Sequence, residues 1–86
     1  MYILIGMKLV RVSWYDVVEH ETGWHDFEEL EKLDYCLVHS YGLLARETPE
    51  KITLIADIIP ETKEFGRSTT IPKGMIKEIK DIPNFD

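Results

Sequence analysis

A single cysteine, Cys36, stands among 86 residues, so no intramolecular disulfide can form and the fold must be held by its core in a reducing compartment. Apolar runs are short as well. The longest opens the chain at Tyr2-Ile3-Leu4-Ile5, far below a membrane span and without the basic residues that precede a signal-peptide core, which predicts a soluble, cytoplasmic protein. Positive charge is scarce, with ten Lys and Arg against sixteen Asp and Glu and a net charge of −6. Such a field repels phosphate backbones and speaks against a general nucleic-acid coat. Glycine and proline number only five and four, with no linker-like stretch and no internal repeat, so residues 1–86 read as one domain. A chain of this size buries only ~60–65% of its unfolded surface. Self-association would strengthen it.

What is present reads as strands. Val10, Val12 and Trp14 alternate with Arg11, Ser13 and Tyr15, the period of a half-buried strand, and Met1–Gly6 form an N-terminal extension if Met7 is the natural start. Tyr35–Glu47 is rich in apolar and β-branched residues and is interrupted by Gly42, which predicts one long strand bent at the glycine. Thr48-Pro49-Glu50-Lys51 places proline at the second position of a type I turn, and Ile52–Ile59 is the return strand. Ser68–Ile71, the break at Pro72-Lys73-Gly74 and Met75–Ile82 supply the last two strands, with Val12, Leu54, Ile71 and Ile76 in the core. The expected architecture is mainly β, a small SH3-like or Sm-like five-stranded barrel with one short inserted helix.

That helix falls in the acidic part of the chain. Residues 16–34 carry eight acids against Lys32, a local charge of −7, while the remainder is close to neutral. Asp26 has the position of an N-cap and Glu29 that of its capping-box partner, which predicts Phe27, Leu30 and Leu33 as an inward stripe. The acids then form a solvated outer face, or a surface for a partner.

No reaction is encoded by recognisable motifs. His20, His25, Cys36 and His39 lack the paired spacing of a structural zinc site, and Ser13, Ser40 and Ser68 lack a nucleophile-elbow setting. Cys36, among Tyr35, Leu37 and Val38, reads as a buried thiol. The chain is therefore expected to be no enzyme, with no metal and no cofactor. Binding residues are easier to nominate: Gly66-Arg67-Ser68-Thr69-Thr70 and Lys73-Gly74 combine glycine, hydroxyls and two cations, which could hold a phosphate. Trp24, in a polar loop beside Gly23, and Tyr15 offer rings to a base or a protein partner. The nominated ligand site is thus Arg67, Ser68, Thr69, Lys73, Gly74, Trp24 and Tyr15.

Taken in order, Val10-Arg11-Val12-Ser13-Trp14-Tyr15-Asp16, Gly23-Trp24-His25, Tyr41-Gly42-Leu43-Leu44, Ile52-Thr53-Leu54 and Ile71-Pro72-Lys73-Gly74-Met75-Ile76 make a pattern that resembles small accessory proteins of tailed phages and prophages. It covers Met7 to about Ile82. The resemblance implies a phage accessory gene and brings no agreed activity. Two function classes follow. One is a homo-oligomeric binding protein that sequesters a small anionic ligand, such as a nucleotide signal of bacterial defence. The other is an adaptor or inhibitor that docks on a host or phage protein through Trp24 and the acidic helix.

Overall fold

The computed structural model describes residues 7–19 and 22–83. The Met1–Gly6 extension, His20, Glu21 and Asn84–Asp86 lie outside them. β-branched and apolar residues in alternation form β1 (Leu9–Asp16), β2 (Cys36–Glu47), β3 (Lys51–Ile59), β4 (Glu64–Pro72) and β5 (Ile76–Asp81). Among the described residues helix is confined to two 3₁₀ segments, Phe27–Lys32 and Lys73–Met75. Among the described residues no helix is long and apolar enough to cross a membrane.

The strands make one antiparallel sheet in the order β4-β3-β2-β1-β5. β2 is long enough to serve two partners, pairing Cys36–Leu43 with β1 and Leu43–Glu47 with β3. The β2–β3 turn is closed as its residues predict: the Thr48 hydroxyl accepts the Glu50 and Lys51 amides at 3.2 Å, and the Thr48 amide donates to the Lys51 carbonyl at 2.9 Å. β4 and β5 are consecutive in the chain yet stand at opposite ends of the sheet. In a flat five-stranded sheet those ends would be about 19 Å apart, whereas the 3₁₀ turn between them advances only about 8 Å, so the sheet rolls at that end. β4 and β5 exchange no pairing among the described residues, and the expected barrel is here an open, rolled sheet.

Rolling brings Val10 and Val12 of β1 together with Ile52 and Leu54 of β3 and Ile71 of β4, and Trp14, Leu44 and Ile76 pack around that cluster. Trp14 keeps its indole Nε1 satisfied by donating to Ser40 Oγ at 3.0 Å. Val12, Leu54 and Ile71 are core as expected, while Ile76 is only partly buried and Ile79, on the edge strand β5, is exposed.

Four other expectations change. Phe27–Lys32 is 3₁₀ and buries none of its residues, with Phe27 88% exposed. Spacings of three between Phe27, Leu30 and Leu33 match the 3₁₀ period, so the stripe exists but faces water. The capping box does not form, since Asp26 makes no side-chain cap and Glu29 Oε2 instead meets His25 Nδ1 at 2.9 Å. Cys36 is exposed rather than buried, because it pairs with Asp16 at the open end of the β1–β2 ribbon. β4 starts at Glu64, four residues ahead of the Ser68 expected to open that strand, so Pro60–Lys63 turn the chain.

Candidate binding groove

Side chains on β3 alternate across the sheet. Ile52 and Leu54 enter the core, so Thr53 and Ile55 stand on the opposite face. Register then places Thr53 beside Thr70 and Ile55 beside Ser68 on β4, with Arg46 of β2 on the other flank of Thr53. The result is a hydrogen-bonded line across three strands: Arg46 Nη2 donates to Thr53 Oγ1 at 3.2 Å, and Thr53 Oγ1 and Thr70 Oγ1 are 2.9 Å apart. Ser68 extends this polar floor.

The walls are apolar. Ile58 and Phe65 are cross-strand partners toward the β3–β4 turn, and Met7 and Ala45 lie at the opposite side. Lys63 and Glu64 form the rim, Lys63 in the left-handed region at φ 61°. Together these groups line an open groove of about 480 Å³. Phe65 presents an exposed ring to it. A floor of hydroxyls with a guanidinium at one end suits an anion, and the ring suits a flat apolar moiety beside it.

The nominated residues are divided by this geometry. Ser68 lies in the groove. Arg67, at φ 45°, turns its fork onto Asp57, with Nε and Nη2 at 2.6 and 2.8 Å from the two carboxylate oxygens. Lys73 Nζ is 2.8 Å from Glu47 Oε2. Six residue steps of nearly extended chain, about 20 Å, separate these two cations, so they do not share one cradle. Thr69 pairs with Leu54, out of phase with Ser68 and Thr70. Tyr15 and Gly74 meet at a separate concavity beside the 3₁₀ turn, and Trp24 stands fully exposed in the acidic loop. Arg46, Thr53, Lys63 and Phe65 were not nominated. Arg46, a lone cation in an otherwise apolar stretch of β2, is the one whose type hinted at a role.

The chain matches no protein-family model, no curated protein and no solved structure. Geometry alone carries the functional argument.

A second polar arrangement resembles a nucleophile and base. Ser13 Oγ lies 2.7 Å from His39 Nδ1, between directly paired positions of β1 and β2. Ser13 is only 3% exposed, however, and a buried hydroxyl has no path to a substrate. This contact joins two strands.

The Arg67 guanidinium holds the Asp57 carboxyl below its ordinary value of 3.8, chiefly by hydrogen bonding, and Asp57 in turn raises Arg67. A depressed carboxylate contributes stability above its unfolded pKa, and that contribution disappears as pH falls through the lower folded value. Both groups are exposed and screened by salt, so the effect on stability is small. Replacing Arg67 by glutamine should bring the Asp57 titration back up toward the ordinary range, as followed by NMR of its carboxyl carbon. An unchanged midpoint would show that the pair does not persist in solution.

Proposed function

We propose that this is a non-enzymatic binding protein that captures a small anionic ligand in the groove on β2, β3 and β4, with phosphate-bearing nucleotides as the leading class. The observation that carries this reading is the Arg46–Thr53–Thr70 line set beside the Phe65 ring. Charge-assisted and hydroxyl contacts would hold a phosphate, the ring would stack on a base, and Glu64 would accept from ribose hydroxyls or base amino groups. On this reading the rolled sheet belongs to the SH3-like class of barrels, with the 3₁₀ turn joining its last two strands. The protein would act in a host-cell cytoplasm as a phage accessory that sequesters a defence signal. The outer edges of β4 and β5, which pair with no further strand among the described residues, favour a homo-oligomer.

Native mass spectrometry of protein purified from cells with and without active defence signalling reads stoichiometry and retained ligand together. Calorimetry against a nucleotide panel should then show Arg46→Ala weakening binding about 10- to 150-fold, the equivalent of ~1.5–3 kcal/mol for a charged contact. Arg67→Ala should change little, because Arg67 is already engaged by Asp57. A purified protein that retains nothing and binds no member of the panel would overturn the proposal.

The adaptor reading is favoured by one separate observation, the fully exposed Trp24 and Phe27 within the acidic segment. Under it, Trp24→Ala would abolish capture of a purified partner while Arg46→Ala would not.

A further inference from the structure

Next to the 3₁₀ turn at Lys73–Met75, the end of β1 and the start of β2 open into a concavity of about 400 Å³ that shares no lining residue with the groove. Tyr15 and Tyr35 form its aromatic corner, with ring centroids 4.5 Å apart and planes at 67°. Asp16 and Asp34 stand at its rim, and Gly74 and Met75 complete it. A side chain grown at Gly74 would meet nothing within 4 Å, so that side is open space.

The charge of this corner is unbalanced. Each aspartate uses Oδ1 to accept the amide of the next residue, Val17 or Tyr35, at 2.8 Å, which fixes the carboxylate in place. Among the described residues neither carboxylate takes part in an ion pair, whereas Lys8, Arg11, His25, Arg67 and Lys73 all have acidic partners elsewhere. Two fixed negative charges beside an exposed Tyr35 ring and a half-buried Tyr15 ring call for a cation from outside. A metal ion fits poorly, since among the described residues no three His, Cys, Asp or Glu side chains come together. A quaternary ammonium would leave the carboxylate acceptors without donors. A guanidinium is flat enough to stack on a tyrosine ring and carries N–H groups for both carboxylates.

We propose that the Tyr15–Tyr35 corner, flanked by Asp16 and Asp34, binds the guanidinium of an arginine presented by a basic peptide segment of a partner. The peptide source follows from the surroundings. Val17, Trp24 and Phe27 are exposed apolar residues of the loop and 3₁₀ segment that follow β1, and residues 16–34 carry −7. That combination complements a cationic chain with apolar side chains, and supplies contacts a free small cation cannot use. This site is independent of the anion groove.

The test is NMR titration of the full-length protein with a capped peptide containing two arginines, its lysine counterpart, and acetylarginine amide. The arginine peptide should shift the amides of Asp16, Tyr35 and Gly74, and should bind at least fivefold more tightly than either other probe. Tyr35→Ala and Asp34→Asn should each weaken it about tenfold. Glu28→Gln, the same charge change on an exposed residue outside the corner, should leave it within twofold. Asp34→Asn preserves shape and so carries the test if Tyr35→Ala perturbs folding. The proposal falls if those amides do not move at millimolar peptide. It also falls if Glu28→Gln weakens binding as much as Asp34→Asn, which would mean general acidity alone, or if acetylarginine amide binds as tightly as the peptide, which would mean a small-molecule site.

Discussion

Replacing Ile71 by alanine should cost ~2–5 kcal/mol of folding stability, a large fraction of what a domain this small possesses. Ile71 lies on β4 at the edge of the sheet, a position where burial is usually incomplete, yet it is only 1% exposed. It is covered because the sheet rolls: paired with Ile52 on β3, it also joins the cluster formed by Val10 and Val12 of β1. Few other residues share the load, since among the described residues the buried cluster around Ile71 consists of Val10, Val12, Ile52 and Leu54. A cavity at Ile71 therefore has little neighbouring structure able to collapse into it. Ile76→Ala should cost less, because Ile76 is partly buried, and Ile79→Ala less again at 38% exposure. Chemical denaturation of the three variants checks the order. Equal costs at Ile71 and Ile79 would mean that the roll does not bring β4 against β1.

The elements that were legible in the sequence are those whose evidence is local. Alternation in Val10-Arg11-Val12-Ser13 set the faces of β1, and Thr48-Pro49-Glu50-Lys51 closed as its turn residues require. Local evidence also misled where a nearby partner competed. Asp26 and Glu29 have capping-box spacing, but His25 takes the Glu29 carboxylate, and the stripe of Phe27 and Leu30 on the six-residue 3₁₀ segment faces water. Ser68 and Thr70 were within reach of sequence reasoning because they sit in a run of hydroxyls. Their partners were not, because Thr53 and Arg46 come to them only through the pairing of three strands. For the same reason Arg67 and Lys73 looked like neighbours. Extended chain carries them about 20 Å apart, Arg67 within β4 and Lys73 just past its end, and each finds a carboxylate from another strand. Site residues on a sheet are set by register, which a single sequence specifies only indirectly.

Gly42→Val should be the most disruptive change that adds atoms, with an expected cost of ~1–3 kcal/mol from overpacking. Gly42 sits where β2 passes from β1 to β3, and it is buried. Its backbone does not need the left-handed region that favours glycine. Space is the constraint. A Cβ built there would lie 3.0 Å from the Ile55 carbonyl oxygen and 3.3 Å from Leu54 Cβ. The first neighbour is backbone, held in the β2–β3 ladder, and the second belongs to a core residue, so neither can swing aside as the end of a flexible side chain would. Branching at valine adds two more methyl groups to the same crowded place. Gly74 gives the matched control, since nothing lies within 4 Å of its added Cβ and its φ is not positive. Gly74→Ala should therefore be neutral or raise stability by up to ~1 kcal/mol, through the reduced freedom of the unfolded chain. Thermal or urea denaturation of both variants decides the point. If Gly42→Val is as stable as Gly74→Ala, β2 does not approach β3 as closely as this geometry requires.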